Sequence, residues 1–113
     1  HMGRIGPDGG PEPLEILTET MQCERIWVKV TNADRFTKLG APFADMTATA
    51  RALVEAAPDR VLWGTDWPHV NAPGGVAVDD GDLVDFMAGY LPEADLRQKL
   101  LVDNPARLYG FGP

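Results

Sequence analysis

Two short stretches of the chain carry apolar residues in the pattern of β-strands. Residues 25–31 place an apolar side chain at every second position, a period that predicts a strand with one buried face. The apolar positions of this stretch are Ile26, Val28 and Val30. The run Val61–Trp63 is continuously apolar between Arg60 and Gly64, which predicts a second, short and buried strand.

Longer stretches follow the helical period of 3.6 residues instead. We predict helices over 12–24, 43–57 and 79–91, and a further helix after Pro92 with a final short turn opened by Asn104 and Pro105. The clearest apolar stripe, in 43–57, consists of Phe43, Met46, Ala50, Leu53, Val54 and Ala57. The predicted inward face of 79–91 consists of Leu83, Val84, Met87, Tyr90 and Leu91. Residues 3–13, 32–42 and 64–78 are predicted to be loops, and both the N-terminal loop (1–11) and 64–78 are rich in Gly and Pro.

Strands that alternate with helices indicate an α/β fold with parallel strands joined through helices. Only two strands are convincing, and a two-stranded parallel sheet would leave both edges open. The pattern therefore predicts part of a larger sheet. Either further chain completes that sheet, or copies of this chain associate to cover the edges.

Composition narrows the classes of partner. The chain has 113 residues, a formal net charge of −7 and no basic block, which argues against nucleic acid or an anionic membrane as its main partner. It does not exclude a small anionic substrate, because a few local arginines can override the global charge. The single cysteine, Cys23, is expected to be an inert surface thiol, and the chain fits the reducing cytoplasm.

Asp66 is the leading candidate for chemistry. It follows the strand Val61–Trp63, and the carboxyl end of a parallel strand is where α/β enzymes place catalytic groups. Its functional interpretation is a general base or a metal ligand, and its structural alternative is a turn cap bonded to backbone NH groups. His69, three residues on, is expected to ligate metal or to orient Asp66, and its alternative is a solvent-facing loop histidine.

Arg35 follows the other predicted strand, so parallel strands would place it at the same end of the sheet as Asp66. An arginine there can grip a carboxylate with two parallel hydrogen bonds. Arg4 is a similar but weaker candidate, and for both residues a solvated loop arginine is the alternative. We expect Trp27 and Trp63 to belong to the core rather than to a substrate platform.

The motifs Trp63–His69 (WGTDWPH) and Asn104–Phe111 (NPARLYGF) together resemble the end of an amidohydrolase of the family 2 type. Within it, the chain is most similar to the lactonase branch that includes 2-pyrone-4,6-dicarboxylate hydrolase. Residues 1–4 (HMGR), 27–30 (WVKV) and 32–35 (NADR) fit that branch, so the resemblance covers nearly the whole chain. It implies that residues 1–113 are a single partial domain, a C-terminal fragment of a (β/α)8 TIM barrel with two to three βα units.

The resemblance also implies roles for individual residues. Asp66 resembles the aspartate that activates the hydrolytic water, and His1 resembles a histidine that polarises the substrate carbonyl. Arg4 and Arg35 resemble arginines that hold substrate carboxylates, and His69 is assigned to the substrate-binding group. His1-Met2 also fits a cloning scar, but the resemblance favours a native histidine here.

The implied reaction is hydrolysis of a cyclic ester, a carboxylated lactone of the kind met in aromatic degradation. The implied cofactor is either none or one divalent, zinc-like metal ion, with His1 and Asp66 as candidate ligands; two ligands fall short of the usual three or four. A metal-dependent decarboxylase of the same superfamily is one alternative. A non-catalytic fragment that folds by self-association is the other.

Overall fold

A parallel pair of strands forms the centre of the fold. The computed structural model describes residues 1–112. Strand β1 (Val28–Val30) pairs with β2 (Val61–Trp63) in parallel, with Val28 opposite Val61 and Val30 opposite Trp63. The predicted strand at 25–31 is therefore shorter than expected, because β2 ends before Gly64 and offers only three residues to the ladder.

Helices surround this pair. The α-helices are α1 (Glu12–Thr20), α2 (Ala33–Phe36), α3 (Thr47–Ala56), α4 (Asp80–Tyr90), α5 (Ala94–Gln98) and α6 (Asn104–Tyr109). A π-helical segment, Lys99–Asp103, joins α5 to α6, and 3-10 turns occupy Met2–Arg4, Ala44–Met46 and Pro73–Gly75. The short helix α2 lies inside the predicted loop 32–42. The described helices contain none long and apolar enough to cross a membrane.

The core lies on the face of the sheet that carries Val28, Val30 and Val61. The predicted stripe of 43–57 is confirmed, because all six of its residues are buried. The prediction for 79–91 is wrong at one position: Val84 is 44% exposed, and Phe86 takes the inward place. Phe86 packs edge-on against Phe43 and Tyr90, with ring centroids 5.7 and 4.9 Å away.

A set of side chains closes the amino end of β2. Asn104 is buried, and its Nδ2 donates to the carbonyl oxygens of Pro58 at 2.8 Å and Val61 at 2.9 Å. Arg60 donates to the carbonyl of Met21 at 2.6 Å, which ties the turn after α1 to this end of the sheet. The motif Asn104–Phe111 thus has a structural role, since its first residue satisfies backbone carbonyls that would otherwise be unpaired.

The other face of the sheet is less covered. Lys29 is exposed between buried Val28 and Val30, so its side chain lies on the opposite face from the helical core. Helix α1 contains no buried residue, and its Ile16 is 56% exposed. Among residues 1–112 the sheet has two strands, so each strand keeps one edge without a partner strand.

Candidate functional site

At the carboxyl ends of β1 and β2, Asp66 lies close to residues from two other segments of the chain. Asn32 Nδ2 donates to Asp66 Oδ2 at 3.1 Å, and the guanidinium of Arg35 lies 3.5 Å from the same oxygen. His1 Nε2 lies 3.9 Å from the other oxygen, Oδ1. The parallel pairing explains this convergence, because it places both strand ends at one edge of the sheet.

The backbone around Asp66 is an unusual turn. Asp66 has φ of +64° and His69 has φ of +59°, both in the left-handed region that non-glycine residues seldom adopt. The amide of His69 donates to the carbonyl of Asp66 at 2.8 Å, which closes the turn. Trp67, at its tip, is 76% exposed. Backbone strain of this kind is held by its surroundings and is concentrated at functional sites.

The ring of His1 is oriented by a threonine. His1 Nδ1 and Thr31 Oγ1 lie 2.8 Å apart, and Thr31 is buried at the end of β1. This bond occupies Nδ1 and leaves Nε2 on the side of Asp66. Half-exposed and fixed in orientation, the imidazole is available to a ligand at the sheet edge.

The two candidate arginines differ in their surroundings. Besides its contact with Asp66, Arg35 donates to the backbone carbonyl of Val70, so it links α2 to the loop after β2. Arg4 is exposed, has φ of +60° and follows His1 in a turn closed by the bond from Arg4 N to His1 O at 2.8 Å. The structure therefore places Arg35 at Asp66 and leaves the Arg4 side chain in solvent.

His69 does not make the bond with Asp66 that the sequence suggested. Its side chain is buried, and Nε2 lies 2.7 Å from Oδ1 of Asp80, the first residue of α4. The alternative of a solvent-facing loop histidine is therefore wrong as well. The His69–Asp80 pair instead fastens the turn that carries Asp66 to the amino end of α4.

A second carboxylate lies close to this cluster. Burial raises the pKa of Asp34, against the opposing influence of its own backbone hydrogen bond, His69 and Arg35. Its Oδ1 is buried without a hydrogen-bond partner. Asp34 also lines a cavity of about 340 Å³ with Phe43, Val78 and Asp82. This carboxyl is therefore held where its charged form is disfavoured.

The described residues do not by themselves fit a divalent metal. His1 and Asp66 supply two donors, but Asp66 Oδ2 is already bonded by Asn32 and faces the cationic Arg35. Among residues 1–112 no group of three or more His, Cys, Asp or Glu side chains could hold an ion. Zinc sites in proteins use three or four protein ligands.

Sequence reasoning missed three residues of the site: Asn32, Thr31 and Asp80. Asn32 carries a detectable signal, because an asparagine directly after a strand is one of the few residues that tolerate a left-handed backbone. Thr31 and Asp80 carry no such signal. Their roles depend on which side chains the fold brings near them.

Known proteins match this chain over almost its whole length. The sequence profile of the family described as "Amidohydrolase" matches residues 1–111. A 4-sulfomuconolactone hydrolase of Rhizobium radiobacter is 44% identical, over 97% of this chain and 38% of its own length. A 2-pyrone-4,6-dicarboxylate hydrolase of Comamonas testosteroni is 42% identical, over 96% of this chain and 39% of its own. The chain thus spans about two fifths of the length of these relatives.

A solved apo structure from Agrobacterium tumefaciens has a similar fold. It superposes with a TM-score of 0.79 and 31% identity, over 100% of this chain and 41% of that chain. The similarity confirms the predicted α/β class with parallel strands and flanking helices.

Proposed function

Because the chain belongs to the amidohydrolase family, we propose that it forms the C-terminal part of a (β/α)8 barrel enzyme that hydrolyses a carboxylated lactone. Two kinds of observation support the proposal. The relatives are named as hydrolases of a sulfonated muconolactone and of a pyrone dicarboxylate. In this chain, a carboxylate, an imidazole and a guanidinium meet at the carboxyl ends of two parallel strands. That convergence carries the proposal.

In the proposed mechanism, Asp66 takes a proton from a water molecule as its oxygen attacks the lactone carbonyl carbon. His1 Nε2 lies on the side of Asp66 and polarises the carbonyl oxygen as negative charge develops there. The ring ester C–O bond then breaks, and the proton returns to the departing oxygen. The products are a hydroxy acid, or its keto tautomer, and the regenerated carboxylate of Asp66.

The substrate's carboxylates need cationic partners, and the two arginines are proposed to supply them. Arg4 is exposed and has no ion-pair partner among residues 1–112, which leaves its full hydrogen-bonding capacity for a ligand. Arg35 already contacts Asp66 and the carbonyl of Val70. We therefore propose that it both binds a substrate carboxylate and holds the proposed base, Asp66, in place. His69 is proposed to belong to the substrate-binding group, where its buried ring, bonded through Nε2 to Asp80, holds the turn that faces the substrate.

The open edges of the sheet are proposed to be covered by further strands of the same kind of barrel, from a longer polypeptide or from a second copy. The unpaired edges of β1 and β2 and the exposed Ile16 support this proposal. Light scattering on residues 1–113 tests it, and a stable monomer with cooperative unfolding would count against it. The reducing cytoplasm is the proposed compartment, in keeping with the lone Cys23.

Asp66→Asn in the full-length protein tests the proposed base. The variant keeps the shape of the side chain but removes its basicity, and we expect lactone hydrolysis to fall by about 1,000-fold. The matched control is Asp85→Asn, an exposed aspartate of α4. Activity within about tenfold of the wild type, a loss of under roughly 1.4 kcal/mol, would show that Asp66 is not the base.

A further inference from the structure

Asn32 is a polar side chain in an unusual place. It is 1% exposed, it lies two residues after the end of β1, and its φ is +67°, in the region that glycine adopts most easily. A glycine here would relieve the backbone but would have no amide group. The presence of a buried asparagine therefore calls for a role of its side chain.

That side chain joins the two strand ends. Its Nδ2 donates to Asp66 Oδ2 at 3.1 Å across 34 residues of sequence. Both ends of this bond, Asn32 and Asp66, have left-handed backbones. The bond thus fixes the rotation of a carboxylate whose own turn is strained, and neither strand end could shift without lengthening it.

The bond also makes the two oxygens of Asp66 unlike. Oδ2 receives the hydrogen bond of Asn32 and faces the guanidinium of Arg35 at 3.5 Å. Oδ1 faces His1 Nε2 at 3.9 Å, a distance too long for a hydrogen bond. Asn32 and Arg35 occupy the surroundings of Oδ2, which leaves Oδ1 as the oxygen that is open to a proton from water.

We propose that Asn32 is a positioning residue that holds Asp66 by Oδ2 and directs Oδ1 to the reacting water. This inference rests on the proposed hydrolysis for its kinetic consequence. Its structural content, the bond from Asn32 to the Asp66 carboxylate, is independent of the substrate. A carboxylate free to rotate would present Oδ1 in the productive direction only part of the time.

The kinetic test uses Asn32→Gly in the full-length protein. Glycine accepts the left-handed backbone, so the variant removes the amide while easing the strain and adds no charge beside Asp66. We expect kcat on a carboxylated lactone to fall about 100-fold, with KM within about twofold. The control is Asn71→Gly, an exposed asparagine with φ of +60°, which should leave kcat within about twofold.

Two kinetic outcomes would overturn the inference. One is a kcat of Asn32→Gly within about twofold of the wild type. The other is a raised KM with an unchanged kcat, which would make Asn32 a substrate ligand rather than a positioning residue.

A spectroscopic test decides the case if the wild type hydrolyses no lactone, a result that would reject the proposed function alone. In protein labelled with 15N-asparagine, Asp66→Ala, which removes the acceptor, should shift the side-chain amide signal of Asn32 and speed its exchange with water. The signal of Asn71 should stay in place. An Asn32 signal unmoved by Asp66→Ala would overturn the inference whatever the activity.

Discussion

The two ends of β2 differ in how their polar groups are satisfied. At the amino end, Asn104 donates to two carbonyls at 2.8 and 2.9 Å, and Arg60 bonds the carbonyl of Met21, although its Nε is buried without a partner. At the carboxyl end, Asp66 sits in a left-handed turn, and Oδ1 of neighbouring Asn32 is buried without a partner. At the amino end, side chains satisfy backbone carbonyls by hydrogen bonds. At the carboxyl end, an unusual backbone conformation positions the side chains of the candidate site.

Residues with strained backbones are concentrated around the carboxyl ends of the strands. In residues 1–112, every non-glycine residue with a positive φ lies in segments 1–5, 32–46 or 64–72, which follow the strands or contact their carboxyl ends. These residues are Met2, Arg4, Asn32, Phe43, Asp66, His69 and Asn71. Each such backbone costs of the order of 1–3 kcal/mol unless its surroundings hold it. Stability therefore comes from the rest of the molecule, and the amino end of the sheet is part of that support.

Asn104→Ala should give the largest change in stability, and it should disrupt contacts at the amino end of β2 only. It leaves two carbonyls without their donor and a small cavity, so we expect the free energy of unfolding to fall by about 2–4 kcal/mol. Urea denaturation of the full-length protein measures this change. Asn104→Asp, which keeps the volume but loses the donor, should be destabilising too. A different outcome would contradict this assignment: a loss of kcat that, expressed as a free energy, exceeds the loss in the free energy of unfolding. It would show that Asn104 acts on the reaction rather than on stability.

Asp34→Asn should act in the opposite direction at the carboxyl end. Burial raises the pKa of Asp34, so the folded state binds its proton more tightly than the unfolded state does. The protonated Asp34 carboxyl therefore adds to the free energy of unfolding below the usual pKa of 3.8. This addition is lost as pH rises through the pKa of the folded state. At pH 7 the variant should therefore be more stable, by less than about 1 kcal/mol because the group is partly solvated.

Denaturation at several pH values measures that gain, which should vanish well below pH 3.8. Asp85→Asn, on the exposed face of α4, is the control and should show no such gain. A destabilised Asp34→Asn would mean that the ionised carboxylate supports the fold after all.

Lys99→Met should have the smallest effect, because it touches an exposed ion pair at the amino end. Lys99 Nζ lies 2.6 Å from Asp59 Oδ1, and this hydrogen bond lowers the pKa of Asp59. The ion pair therefore adds to the free energy of unfolding above the usual Asp59 pKa of 3.8. This addition is lost as pH falls through the pKa of the folded state. We expect a loss of about 0.5 kcal/mol at neutral pH, measured by denaturation. No loss at all would show that this ion pair adds nothing to the stability of the amino end.

Local pattern was sufficient to predict much of the fold. The apolar stripe of 43–57 and the strand β2 were predicted correctly, because each is marked by apolar residues that are close together in the sequence. The inward face of α4 was partly wrong at Val84, since the choice between Val84 and Phe86 depends on where Phe43 lies. Packing partners of that kind are distant in sequence.

The candidate site, like the fold, could be predicted only in part. Asp66 and Arg35 were predictable from their positions after strands, because parallel strands end at one edge. The partner of His69 was not, since Asp80 belongs to a helix that begins eleven residues later. Asn32 reaches Asp66 over 34 residues, and nothing local to either residue specifies that bond.

The bond from Asn104 to Val61 also has a consequence for synthesis on the ribosome. The donor follows its acceptor by 43 residues, so β2 leaves the ribosome well before the side chain that caps its first carbonyl. At roughly 5–20 residues per second, that interval is about 2 to 9 seconds. During it, the nascent strand has apolar side chains and an unpaired edge, the kind of surface that chaperones bind.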